Sequence, residues 1–181
     1  WHRHVDNICV KATSILNLVR RNIYQCSEEV KALAYLSLVR PHLEYAAAAW
    51  DPYTAHDSDQ LEKVQRRAAR FVKNDYRRTS SVTEFIMDLN WERLSDRRKN
   101  TRLAVFFKAL HQQIAIPVDH LQRPTRCTRR SGAGSFIAIS SNIDSYKFSF
   151  YPRTVVDWNS LPEPVRLKSS LGSFRGALHS V

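Results

Sequence analysis

Lys63, Arg66, Arg67, Arg70 and Lys73 recur every three or four residues along QLEKVQRRAARFVKN, and Arg77 and Arg78 prolong the series. On a helix that spacing gathers cations on one side, where they can contact successive phosphates and release the counterions condensed on them. Leu61, Val64, Ala68, Phe71 and Val72 fall on the other side of the same segment, which can therefore pack and bind at once. Tyr76 lies between Lys73 and Arg77, an interleaving of aromatic and cation that suits base stacking. Arg97, Arg98 and Arg102 form a second basic set on a later helix, where a simply solvated face is an equal alternative.

Chemistry of the catalytic kind finds no comparable pattern. Two-metal nucleotidyl transfer needs clustered carboxylates. The close acidic pair here, Asp57 and Asp59, falls where helix capping explains it. GxSxG, P-loop and HExxH motifs are missing from the sequence. Cys127 has only His120 nearby, and His2 and His4 read as solvated side chains at a fraying terminus, so no metal site or cofactor is expected. Cys9 and Cys26 lie in helical patterns and read as small hydrophobes. The segment is not expected to be an enzyme on its own.

The 181 residues carry a formal charge of +11, which points to a polyanionic partner, nucleic acid before an anionic membrane surface. Residues 1–90 hold 13 Lys/Arg against 11 Asp/Glu, whereas 91–181 hold 15 against 6, so most of the surplus lies in the second half. A hydrophobic share of 43% supports a real core. Three cysteines without a CxxC pair argue against a disulfide framework and for an intracellular setting. No run of 18 apolar residues spans a membrane. A start at Trp1 rather than Met suggests a piece of a larger reading frame.

The elements that must position the cations read as mainly α: a bundle of five or six helices with a small irregular or β-hairpin C-terminal portion. Val5, Ile8, Cys9, Ala12, Ile15, Leu16, Val19 and Ile23 mark a first helix from His4, with Lys11, Arg20 and Arg21 off the stripe. Ser27 caps a second, whose apolar face is Val30, Leu33, Ala34 and Leu38, and Pro41 should end or kink it. The alanines of HLEYAAAAW imply a buried helical segment, and WDPY a turn. Asp57 or Ser58 is expected to cap the cationic helix, and Ser81 with Glu84 forms a capping box. A helix from about Glu92 to Gln112 buries Leu94, Leu103, Phe106, Phe107 and Leu110 and displays Arg93, Arg97, Arg98, Lys99 and Arg102. Residues 1–113 thus form a helical unit and 114–181 an extension. The extension begins with an Arg-rich mobile loop (Arg123, Arg126, Arg129, Arg130), continues through the strand-like SFIAI and YKFSFY, and ends in a helix carrying Leu171, Phe174 and Leu178. Trp50, Trp91 and Trp158 are expected as core anchors.

Three blocks in order, AYLSLVRPHLEYAAAAWDPY, LEKVQRRAARFVKNDYRRTSSVTEFIMDLNWERLSDRRK and FYPRTVVDWNSLP, resemble the region that follows the palm in reverse transcriptases of jockey-like non-LTR retrotransposons. The resemblance covers nearly the whole chain and implies the thumb and C-terminal extension of an RNA-directed DNA polymerase. The family's aromatic-x-Asp-Asp loop does not occur in this sequence, nor do its endonuclease constellation and Cys/His knuckle, so no catalytic residue carries over. What the resemblance implies is a thumb-like grip on an RNA/DNA template–primer duplex beside a palm domain, with nuclear action during genome insertion. A helical protein-interaction module, docking on that palm or on a second copy, is the alternative, and a decayed transposon fragment without activity is a third reading.

Overall fold

The computed structural model describes residues 1–125 and 132–179. Arg126, Cys127, Arg129 and Arg130, part of the expected mobile loop, lie outside the described residues. The chain is mainly helical and divides into two compact units, Trp1–Arg98 and Lys99–Val181. That division falls inside a long helix, ahead of the change in composition near Ile114.

In the first unit, α1 (His2–Ile23) buries Val5, Cys9, Ala12, Leu16 and Val19, the stripe that its three-and-four spacing requires. It packs along α5 (Ala55–Val72), which turns in Leu61, Val64, Ala68, Phe71 and Val72. Between them run α2 (Glu28–Ala34), α3 (Arg40–Glu44) and α4 (Ala47–Trp50). Ser27 stands at the N-cap of α2, though its hydroxyl makes no capping bond there.

Pro41 does not end the α2 helix. A π-helical turn, Tyr35–Val39, carries the chain on into α3, and the Arg40 N–H donates to the Tyr35 carbonyl five residues back. This wider turn explains which side chains face inward. Lys31, Tyr35, Val39 and Leu43 are buried at strict intervals of four, a period that 3.6 residues per turn cannot hold. Val30, Leu33 and Leu38 are consequently exposed, a correction to the apolar face expected for this helix. The break comes later, at Ala46, whose φ of 52° is left-handed. The alanine run is only partly buried: Ala47 is enclosed, while Ala46 and Ala49 are exposed. Trp50 anchors the run in the core, its indole N–H donating to the Tyr45 carbonyl at 2.8 Å.

Thr54, rather than Asp57 or Ser58, caps α5: its hydroxyl accepts the Asp57 N–H at 3.3 Å. The Ser81 hydroxyl accepts the Glu84 N–H at 3.4 Å and opens α6 (Val82–Asp88), which is one of the two bonds of the expected capping box. Trp91 stacks on Tyr35 with ring centroids 4.4 Å apart, and the Tyr35 hydroxyl donates to Gln65 at 3.0 Å.

Helix α7 (Leu94–Leu110) gives Leu103, Phe106 and Phe107 to the core of the second unit. They meet Trp158 of α9 (Phe150–Ser160), Val165 of α10 (Glu163–Arg166), and Phe174 and Leu178 of α11 (Leu171–Leu178). Among the described residues no strand occurs, so the expected hairpin is corrected. Asn159 takes the place of a neighbouring strand for SFIAI: its amide accepts the Phe136 N–H at 3.0 Å and donates to the Phe136 carbonyl at 2.8 Å. YKFSFY instead forms the end of α8 (Asp144–Lys147) and the start of α9, which tolerates Pro152 because the first helical turn needs no N–H from it. Gly134 adopts φ 78°, and its carbonyl accepts the Trp158 indole N–H at 2.9 Å.

Candidate nucleic-acid interface

The two basic sets proposed from sequence have different fates. Lys63, Arg66 and Arg67 project from the outer side of α5 and are exposed, and they meet no carboxylate among the described residues. Arg78 is exposed in the following loop. Arg70, half-buried, turns back on its own chain. Its guanidinium donates to the carbonyls of Asp75 at 3.3 Å, Arg77 at 2.8 Å and Ser80 at 3.4 Å, so it organises the loop after α5. Lys73 pairs with Glu28 at 3.1 Å and approaches Asp88 at 3.9 Å. Arg77 pairs with Asp75 at 2.7 Å, yet most of its side chain stays in solvent.

Arg97, Arg98 and Arg102 are not displayed as the sequence suggested. Arg98 is 1% exposed and donates to Asp51 at 2.9 Å and Ser58 at 3.1 Å. Arg102, equally buried, pairs with Asp157. Arg97 is half-buried and held by Glu44, with Nη2 to Oε2 at 3.1 Å, and by Glu92 at 3.6 Å. Side chains spent on carboxylates inside the fold are not available to a phosphate backbone, so these three leave the candidate interface. The periodicity of α7 gave no sign of this, because Asp51 and Asp157 lie 47 and 55 residues away in sequence.

The surface beside Lys63 and Arg67 is a groove. One stretch runs between α1 and α5 and is lined by Asp6, Thr13, His56, Gln60, Lys63 and Arg67. The next is lined by Arg20, Arg21, Tyr24, Asn74 and Tyr76. Ser14 and Asn17 line both, so the two hollows adjoin along α1. Between them the two hollows are lined by four cations, Lys63, Arg67, Arg20 and Arg21, and by one carboxylate, Asp6. Arg20 lies over the Tyr76 ring, 5.3 Å from its centroid, so the aromatic pairs with a cation of α1 rather than with Lys73 or Arg77. Arg20 and Arg21 were visible in the sequence as charges off the α1 stripe. Their place beside α5 depends on the packing of two helices separated by the whole α2–α4 segment.

Two titratable groups border this region. The side-chain hydrogen bond from Arg77, aided by the Arg77 N–H and the Ser80 hydroxyl, holds the Asp75 carboxyl well below the usual carboxylate range. Burial, helped by the nearby Asp6 carboxylate, pushes the Cys9 thiol up to about 11, which keeps it protonated near neutral pH although it touches the groove. No described helix is long and apolar enough to cross a membrane. No family model, curated protein or solved structure matches this chain.

Proposed function

We propose that this chain is a non-catalytic nucleic-acid-binding segment of a retrotransposon reverse transcriptase, which grips template–primer duplex through the α1–α5 groove. The observation that carries the reading is the gathering of Lys63, Arg67, Arg20 and Arg21 around two adjoining hollows whose lining holds one carboxylate, Asp6. Arg66 on α5 and Arg78 in the loop after it are further solvent-facing cations. A groove of this kind follows a phosphate backbone and is indifferent to base sequence. Tyr76, already against Arg20, offers a ring face to a terminal or unpaired base.

The test is binding of an RNA–DNA template–primer duplex across a salt series. Neutralising about five phosphates gives a log–log slope of roughly −4 to −5. Lys63→Ala, Arg66→Ala and Arg67→Ala together should flatten that slope and weaken binding evenly across sequences, with helix content unchanged. Arg70 is left intact, because its loss would disturb the loop and confuse the result. An affinity that ignores salt, or a triple variant that binds as the parent does, would overturn the reading.

A second reading, a protein-interaction module, is favoured by the exposed Val30, Leu33 and Leu38 on the outer side of α2 and the π turn. Concentration-dependent association that is abolished by Leu33→Lys and untouched by duplex would favour it.

A further inference from the structure

The first turns of α1 and α5 meet at three groups able to ligate a metal. Asp57 is 5% exposed, and its Oδ1 lies 2.6 Å from His2 Nδ1. His56 precedes it in the chain, its ring centroid 5.6 Å from that of His2. One ligand-capable atom from each of the three lies within 4.8 Å of the other two.

We propose that His2, His56 and Asp57 form a divalent-metal site of the zinc type, bracing the start of α1 against the start of α5. Two imidazoles and a carboxylate make a borderline donor set that suits tetrahedral zinc, with the fourth position left to water. Ligand atoms around tetrahedral zinc stand about 3.3 Å apart for bonds near 2.0 Å. The pair at 2.6 Å has to open slightly and His56 has to close in. Both histidines are exposed and have room to do so.

Of the ring nitrogens not needed for the metal, that of His2 already has an acceptor, and that of His56 gains one when the neighbouring amide turns over. His2 Nε2 lies 3.5 Å from Asp6 Oδ2, the carboxylate–histidine arrangement that fixes a metal-binding imidazole. His56 Nε2 lies 2.9 Å from the Gln60 amide. Turned so that its oxygen faces the ring, that amide accepts Nε2–H and leaves the Nδ1 lone pair for the ion. Sequence spacing hides the set, because His2 and Asp57 are 55 residues apart and His4, the near neighbour of His2, packs edge-on against Trp50 instead. Because Asp6 and His56 line the α1–α5 groove, a bound ion would also stiffen one end of that channel.

The experiment is calorimetric titration of the full chain with zinc, alongside visible spectroscopy with cobalt(II) as the probe. Expected are saturable one-to-one binding, cobalt bands without a thiolate charge-transfer band, and affinity weakened at least about tenfold in both His56→Ala and His2→Gln. Both substitutions fall on exposed side chains, and circular dichroism checks that the helices persist. Simple chelation by the Trp1 amine with His2 would survive His56→Ala at full affinity. That result, a thiolate band from cysteine ligation, or no binding at all would each overturn the site.

Discussion

Arg98 Nε lies 2.9 Å from Asp51 Oδ1, and the two side chains are 1% and 5% exposed. The pair ties the turn after Trp50 to the start of α7. Arg98 Nη2 continues to the Ser58 hydroxyl, while Nη1 is buried with no hydrogen-bond partner among the described residues. Attraction in so dry a place offsets a large desolvation cost, and the balance holds only while both partners are present. Asp51→Ala strands a buried guanidinium and should cost about 3–5 kcal/mol. Replacing both, as Asp51→Leu with Arg98→Met, should recover most of that loss. Urea unfolding of the single and double variants checks this; a single variant as stable as the parent would sink it.

What the sequence disclosed, and what it hid, follows from the range of each interaction. The stripe Val5–Cys9–Ala12–Leu16–Val19 and the faces of α5 are local patterns, set by helix geometry, and they appear where periodicity puts them. The Ser81 cap is likewise a local affair of four residues. The π turn at Tyr35–Val39 left only a trace, an interval of four between Lys31, Tyr35, Val39 and Leu43, with a lysine as its first member disguising the stripe. Lys31 is tolerated there because its ammonium sits over the Phe71 ring, 5.4 Å from the centroid. The arginines were the least legible. Lys63, Arg67 and Arg70 stand on one helix with the same local spacing, yet Arg70 reaches carbonyls of the loop at its C-terminal end. Only the tertiary position of a partner separates a solvated cation from a structural one.

Asp75 gathers the loop behind α5. It accepts from the Arg77 backbone N–H at 2.9 Å, the Arg77 guanidinium at 2.7 Å and the Ser80 hydroxyl at 2.7 Å. These bonds favour the ionised carboxyl, led by the one from the Arg77 side chain. With the folded pKa depressed, the contribution is fully present above the ordinary aspartate value of about 3.9 and fades as pH falls below it towards the folded value. At pH 3 the Asp75 carboxyl carbon should still give the shift of an ionised group. The loop amide shifts should accordingly hold steady between pH 5 and pH 3, and Asp75→Asn should shrink the loss of stability as pH falls below about 3.9. A carboxyl that titrates near 4 would contradict the bonding described.

Cys9 and Cys26 test the interior of the first unit against its surface. Cys9 is buried against the α1–α5 core, and its thiol is pushed up to about 11 by burial first and Asp6 second. Cys26 is exposed just past the end of α1. Only thiolate reacts, so at pH 8 the difference between about 11 and the ordinary value near 8.5 alone slows Cys9 on the order of a hundredfold. Burial slows it further. In a Cys127→Ser background, alkylation at pH 8 should label Cys26 rapidly and leave Cys9 unmodified until the chain unfolds. The raised value also sets the sign of an alkaline effect. Stability from the neutral thiol is complete below the unfolded value and lost as pH rises from about 8.5 towards the folded value. Cys9→Ala should therefore shrink the fall in melting temperature between pH 8 and pH 11. Equal labelling of the two thiols in the folded chain would mean that α1 does not pack on α5 as described, and the groove proposed for nucleic acid would lose one of its walls.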